Sequence, residues 1–290
     1  MNDFLAVAEE FGKEWDRGLR GQTSSLAMKP SRLSRNRKAS RGRALVLDAA
    51  GTRLRTAVVR WDQGRQELER QTEAPMPGSQ GPLGPVTVLN ETVATLLAGA
   101  GLPEAAAWSS GVGQILGTGT NGCYPEPTRK GEIYNTESGA FRRFPRTELD
   151  RALEATTQDP EDYWFEKTMA GASLGPLCSL AVSRLLGRGE TWSTTELAQP
   201  LALPDGDPVR TMAEDFVDRA AGLWRTGGGL DASRPVGLLA EGSTFWNLPG
   251  VAQRFERHLQ GLLQGDWHRH YALCQISLAP FWGSVVATPW

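Results

Sequence analysis

Cysteine is scarce in this chain of 290 residues: Cys123, Cys178 and Cys274 are widely spaced and odd in number. That excludes a disulfide framework and offers no zinc-ligand spacing. Histidine is equally sparse. His258, His268 and His270 lie outside every motif described below, and a His-x-His pair in a Trp- and Arg-rich stretch reads as surface. No run approaches the ~18 apolar residues that suggest a membrane span, and Met1-Asn2-Asp3-Phe4-Leu5 lacks a basic segment followed by a long apolar one. Net charge is only −2, so no global field draws the chain to nucleic acid or to an anionic membrane. These absences predict a cytoplasmic protein that acts on small metabolites.

What is present is an ordinary globular composition, 40% hydrophobic and 22% charged, long enough for two lobes. Phe4 to Arg20 spaces Phe4, Leu5, Phe11, Trp15 and Leu19 among charges, an amphipathic helix. A basic, Ser- and Pro-containing stretch follows, with Lys29, Arg32, Arg35, Arg37, Lys38, Arg41 and Arg43. No aromatic interleaves it, so it reads as a solvated connector. Ala44 to Asp48 and Thr56 to Trp61 read as paired strands about an Ala49 to Arg53 turn. Glu73 to Pro85 is rich in Pro and Gly and reads as irregular. Val86 to Leu89 reads as a strand, Thr92 to Ala100 as a helix with Asn90 near its start, and Gly117 to Gly122 as the tip of a second hairpin. Glu161 to Leu186 is helical with a break at Gly171, Gly175 or Pro176. Beyond it, helices over Val209 to Trp224 and Val251 to Leu263 alternate with strands over Val236 to Ala240 and Tyr271 to Ile276, and a short helix follows Pro280. Such alternation implies an α/β core.

The most informative stretch is Ile115-Leu116-Gly117-Thr118-Gly119-Thr120-Asn121-Gly122-Cys123-Tyr124. An apolar strand ends there in alternating Gly and Thr, which lets backbone N–H groups and hydroxyls approach an anion. Two further patches follow in order, Asn135-Thr136-Glu137-Ser138-Gly139-Ala140-Phe141 and Phe165-Glu166-Lys167. Asn121, Glu137 and Glu166 supply hydrogen-bonding groups suited to sugar hydroxyls. Taken singly these features have plainer readings: Asn121 as a turn cap, Glu137 as a helix start, Glu166 as a surface charge.

In these patches the chain resembles the hexokinases of the actin-like ATPase superfamily, particularly their bacterial members. The likeness extends to Leu45-Val46-Leu47-Asp48-Ala49-Ala50-Gly51-Thr52-Arg53-Leu54-Arg55, Leu89-Asn90-Glu91-Thr92, Ala240-Glu241-Gly242-Ser243-Thr244-Phe245 and Ala279-Pro280-Phe281-Trp282-Gly283-Ser284. The resemblance implies an actin-like, ribonuclease-H-type α/β fold of two lobes. Its expected organisation is an N-terminal helix and connector over 1–43, a reduced small lobe over 44–110 and a large lobe over 111–290. It implies ATP- and Mg²⁺-dependent transfer of a phosphoryl group to a glucose-like hexose, with Glu91 as catalytic base and Asn90, Asn121, Glu137 and Glu166 holding the sugar. Gly51, Thr52, Arg55, Gly117, Thr118 and Gly119 would hold phosphates, Asp48 would bind Mg²⁺ through water, and Gly242, Ser243, Thr244, Gly283 and Ser284 would lie near the adenosine.

Three departures from the family pattern qualify that expectation. Pro75-Met76-Pro77-Gly78 runs almost directly into Val86, where family members carry a longer segment with a second sugar grip. Glu91 replaces an aspartate, a change of reach on the ~1 Å scale that costs rate. Ala50 and Arg53 replace Gly and Asn in the first phosphate motif. The expectation is therefore slow turnover, with a non-catalytic sugar- or nucleotide-binding regulator and a sugar-independent ATPase as alternatives.

Overall fold

A computed structural model describes residues 4–31, 41–50, 53–62, 65–75, 89–129, 131–223, 234–261, 263, 270–276, 279 and 282–284. Helix α1 (Phe4–Leu19) opens the chain and is followed by the short strand β1 (Lys29–Ser31). Three strands come next: β2 (Arg41–Ala50), β3 (Arg53–Asp62) and β4 (Arg65–Pro75). Helix α2 (Glu91–Gly99) leads into β5 (Ser110–Leu116), β6 (Thr120–Pro125) and β7 (Ile133–Asn135). Seven helices surround the remaining strands: α3 (Glu148–Glu154), α4 (Trp164–Met169), α5 (Leu174–Leu186), α6 (Ala198–Leu201), α7 (Pro208–Leu223), α8 (Ser243–Asn247) and α9 (Val251–Gln260). Between and after them run β8 (Val236–Glu241) and β9 (Tyr271–Cys274).

The larger sheet has the order β1-β7-β6-β5-β8-β9, with β5, β8 and β9 parallel and β5, β6, β7 and β1 antiparallel. Every residue of β5 is buried, as expected of a central strand covered on both faces. On one face lies α2, buried from Thr92 to Gly99, packing Val93, Leu96 and Leu97 over Trp108, Cys123 and Leu239. Asn90 starts that helix: its side-chain oxygen accepts from the Thr92 N–H at 2.9 Å and from the Thr92 hydroxyl, a cap worth about 1 kcal/mol. On the other face Leu174, Leu177, Val217, Phe245 and Phe255 join the main core. Parallel β5 and β8 end together, with Ile115 opposite Glu241, so the loops after them meet at one end of the sheet, where open α/β sheets bind ligands.

The second sheet is antiparallel, in the order β2-β3-β4, whereas α2, expected in the small lobe, packs on the larger sheet. The hairpin expected over Ala44 to Trp61 is present and longer, in register from Arg41 opposite Asp62 to Ala50 opposite Arg53. A third strand was not anticipated. Its sequence RQELERQTEAP is polar and largely exposed, so it lacks the apolar alternation that signals a half-buried strand, and it carries Glu73 to Pro75, read above as irregular, into the sheet. Of the proposed strand over Val86 to Leu89, only Leu89 is described, and it precedes α2 without strand structure. Glu161 to Leu186 divides as the glycines suggested, into α4 and α5 either side of 170–173, with Pro176 inside the first turn of α5 where its missing N–H costs nothing.

Aromatic packing fixes α1 against the large lobe. Phe11 meets Phe141 at 5.0 Å and Phe141 meets Phe165 at 5.4 Å between ring centroids, tying α1, the turn at Ser138–Ala140 and α4 together. Buried Glu14 adds a polar staple, accepting from the Ser25 N–H at 2.7 Å, the Ser25 hydroxyl at 2.9 Å, Arg17 at 2.9 Å and Arg143 at 2.8 Å. Burial alone would raise its pKa, but these donors outweigh it and hold the carboxyl at about 2. Among the described residues no helix is long and apolar enough to cross a membrane.

Candidate functional site

The loop Gly117-Thr118-Gly119 joins β5 to β6 and closes on itself through Gly117 N–H donating to Gly119 O at 3.0 Å. Its carbonyls are held from behind. Gly117 O accepts from the Gly171 N–H at 2.8 Å and from the Thr244 hydroxyl at 2.8 Å, while Thr118 O accepts from Ala172 N–H at 2.9 Å. With the carbonyls engaged on that side, the Thr118 and Gly119 N–H groups take no partner among the described residues, the arrangement of an anion nest. Only glycine fits two of the surrounding positions. A Cβ on Gly171 would fall 2.3 Å from Thr244 Oγ1 and 2.5 Å from Gly117 O. Gly242 has φ +116° and lies where a Cβ would be 2.3 Å from Leu116 O, so the turn after β8 can press against the end of β5.

Beside this loop is a cavity of about 260 Å³ lined by Thr118, Gly171, Ser193, Thr194, Thr195, Ser243, Thr244, Asn247 and Leu248. It gathers hydroxyls and one apolar wall. The turn Gly242-Ser243-Thr244 thus lies beside the Gly117 loop. Gly283 and Ser284 do not line the cavity. A Cβ on Gly283 would fall 1.6 Å from Ala94 O, so Gly283 is packed on α2, and neighbouring Trp282 packs against the cluster of Val46, Ala57 and Val59. Gly171 and Ser193-Thr194-Thr195 were missed as lining. Their signal was only a local capping box, in which the Ser193 N–H donates to Glu196 at 2.8 Å.

On the other side of the loop, Asn121, Glu137 and Glu166 converge. Glu166 Oε2 accepts from the Thr120 N–H at 2.9 Å and lies 2.5 Å from where a Gly119 Cβ would stand. Asn121 Oδ1 accepts from Gly122 N–H at 2.8 Å and Ser138 N–H at 3.3 Å. Glu137 is held in the left-handed region at φ 54°, a strained conformation for a non-glycine residue. Its Oε1 accepts from Asn135 Nδ2 at 2.6 Å and lies 3.7 Å from Lys29 Nζ. Burial raises the Glu166 pKa, with Glu137 adding to the rise and the Thr120 N–H opposing it. Asn135 is buried and its Oδ1 has no partner among the described residues, an acceptor suited to a ligand hydroxyl or water. Its importance was not legible in the sequence.

Across the cleft Asp48 of β2 pairs with Arg55 of β3 at 2.5 Å, residues that are also register partners. Gly51 and Thr52, expected at this phosphate approach, lie outside the described residues. Glu91, in the first turn of α2, is exposed at the cleft mouth. The cleft walls nonetheless raise its pKa by desolvation, Asp48 raises it further and Arg55 pulls the other way. Glu241, at the end of β8, is also raised, first by burial, against Arg55 and with contributions from Asp48 and Glu91. Asp48, Glu91 and Glu241 therefore share one electrostatic neighbourhood with a single guanidinium. Glu241 was quoted in a motif but given no role. Asn90 commits its oxygen to the α2 cap and leaves its amide NH₂ for a ligand.

No group of three or more His, Cys, Asp or Glu that could hold a metal directly exists among the described residues. The like-charge crowding of Asp48, Glu91 and Glu241 fits a hydrated divalent cation, held through water and a ligand's phosphates, better than one in a protein cage.

A mixed sheet with a helix-covered switch point, a Gly-Thr loop and a second, smaller hairpin sheet is the architecture of the actin-like ATPase fold. Comparison agrees. A glucose-bound hexokinase of Schistosoma mansoni superposes with a TM-score of 0.77 at 19% identity, covering 98% of this chain and 94% of that one. A ROK-family glucokinase of Streptomyces griseus, solved with glucose and AMPPNP, gives 0.50 at 16% identity, covering 84% of this chain and 98% of that one. The family model described as hexokinase matches residues 111–219, the segment carrying the Gly117 loop, Glu137 and Glu166. A hexokinase of Toxoplasma gondii is 34% identical over 148 residues, 47% of this chain. Residues 111–219 thus carry the likeness to the hexokinase family. The Toxoplasma gondii match spans 30% of the length of that relative.

Proposed function

We propose that the chain is a hexokinase-type sugar kinase that transfers a phosphoryl group from ATP to a glucose-like hexose. The observation that carries this reading is the convergence of Asn121, Glu137 and Glu166 on one side of the Gly117–Gly119 loop, with a hydroxyl-lined cavity on the other. A polar floor suits an acceptor alcohol, and a nest of free N–H groups suits the phosphates of the donor. The cavity by Thr194, Ser243 and Thr244 takes the nucleoside. Glu91 takes the proton of the attacking hydroxyl, its raised pKa bringing it closer to the pH at which a general base works best. Arg55 neutralises Asp48 and offsets the acidic field at Glu91. Mg²⁺, when bound near Asp48 and Glu241, supplies charge neutralisation for the phosphates.

Turnover is expected to be slow. The sequence between Gly78 and Val86 has no counterpart of the family's second sugar grip, a loss expected to weaken water exclusion and closure around the acceptor. That same observation favours the second reading, a protein that binds sugar or nucleotide without turning it over. A coupled assay of ADP formation with glucose, mannose and fructose, run beside calorimetric binding of the same sugars, separates them. Sugar-dependent ADP formation supports the kinase, binding without turnover supports the regulator, and neither binding nor turnover refutes both.

A further inference from the structure

Three non-glycine residues among those described have positive φ: Met28 at 45°, Glu137 at 54° and Tyr163 at 55°. Backbone strain of this kind clusters at ligand clamps. Glu137 belongs to the proposed sugar floor, and Tyr163 is the cap residue of α4, the helix that carries Glu166. Met28 has had no such role, but it directs the residue after it, Lys29. Its side chain is buried against α1, where only glycine fits at position 18: a Cβ on Gly18 would fall 2.5 Å from Met28 Cγ. With Met28 anchored, Lys29 opens β1 directly opposite Asn135 of β7, which puts the two side chains on one face of the sheet.

Lys29 and Asn135 share an acceptor there. Glu137 Oε1 takes the Asn135 amide at 2.6 Å and lies 3.7 Å from Lys29 Nζ, while Glu137 Oε2 takes no partner among the described residues. Lys29 therefore has donors to spare. An ammonium offers three N–H groups, Glu137 is its one ion-pair partner among the described residues, and the side chain is 66% exposed. We propose that Lys29, read in the sequence as part of a solvated connector, is a further sugar-contact residue of this site, donating to a hexose hydroxyl that in turn donates to Glu137. A hydroxyl can do both at once. The cation also offsets the like charge of Glu137 and Glu166, which raises the pKa of Glu166. This inference rests on the sugar-kinase reading and adds one contact to its acceptor site.

The test is calorimetric titration of the whole chain and of Lys29→Met with glucose and with its 2-, 3-, 4- and 6-deoxy analogues. Methionine keeps most of the stem and removes the donor, and circular dichroism with thermal melts verifies that the variant folds. Glucose should bind about fivefold more weakly to the variant, a modest factor because water competes for an exposed ammonium. Against one deoxy sugar the substitution should cost nothing, since the hydroxyl that Lys29 meets is gone, while the cost persists against the others. An equal loss against every sugar would mean that Lys29 acts only by steadying Glu137, and would overturn the contact. Unchanged glucose affinity would overturn it too. Both results differ from failure of the kinase reading, in which the parent chain binds none of the sugars and this inference falls with it.

Discussion

Gly171→Ala is the sharpest perturbation of the Gly117 loop, because the added methyl meets both Gly117 O and the Thr244 hydroxyl that donates to it. It would stand 2.3 Å from Thr244 Oγ1 and 2.5 Å from Gly117 O. The threonine side chain can rotate away, but the carbonyl is backbone, so the loop itself must move. Two hydrogen bonds are at stake, from the Gly171 N–H and from the Thr244 hydroxyl, each 2.8 Å long and each worth about 1 kcal/mol. With the displacement of the Thr118 and Gly119 N–H groups added, the expected loss in nucleotide affinity is about 2 to 3 kcal/mol, roughly 30- to 150-fold. Thr244→Val removes one of the two bonds without the backbone clash and should cost about 1 kcal/mol, roughly fivefold. Calorimetry with a non-hydrolysable ATP analogue reads both, and circular dichroism with thermal melts serves as the folding control. Parental nucleotide affinity in a folded Gly171→Ala protein would refute the anion-nest account of this loop.

The remaining predictions concern charge. Glu166→Gln should weaken hexose binding by about tenfold while sparing nucleotide, since a charged hydrogen-bond acceptor is worth about 1.5 to 3 kcal/mol; equal losses for both ligands in titrations would reject the sugar-floor assignment. Any turnover should rise with pH along an acid limb above the usual carboxylate range, because Glu91 must lose its proton to act and its cleft raises its pKa; a flat kcat/KM profile through mildly acidic pH would remove Glu91 from the role. Glu14 has a folded pKa of about 2 against an ordinary 4.5, so its stabilisation is complete above pH 4.5 and lost as pH falls toward 2. Glu14→Gln should accordingly cost about 2 kcal/mol in urea melts at pH 7 and much less near pH 2; a pH-independent cost would contradict the staple.

The large lobe was legible because its signals are local. The Gly117–Gly119 loop announces itself as a glycine-threonine turn after an apolar strand, and Gly171 marks the break between α4 and α5. Glu137 and Glu166 could be placed together only through resemblance, since 29 residues of sequence separate them and their meeting depends on the Phe11, Phe141 and Phe165 contacts. Glu241 was illegible for a related reason. A single Glu at a strand end carries no signal until the parallel register of β5 and β8 brings it beside Asp48 and Glu91. Strand β4 escaped notice because charge, which protects its edge, also erases the apolar alternation by which strands are read. A Gly-Ser pair signals close approach without saying to what, and for Gly283 the neighbour is α2.

The central claim is that one cleft holds a hexose on Asn121, Glu137 and Glu166 and a nucleotide on the Gly117 loop. Calorimetric titration of glucose into the chain, with and without a saturating non-hydrolysable ATP analogue and Mg²⁺, and repeated on Glu137→Gln and Glu166→Gln, tests it most directly. The account predicts measurable glucose binding that both substitutions weaken by about tenfold and that nucleotide occupancy alters. Glucose binding that is absent from the parent chain, or unchanged in both variants, would contradict it.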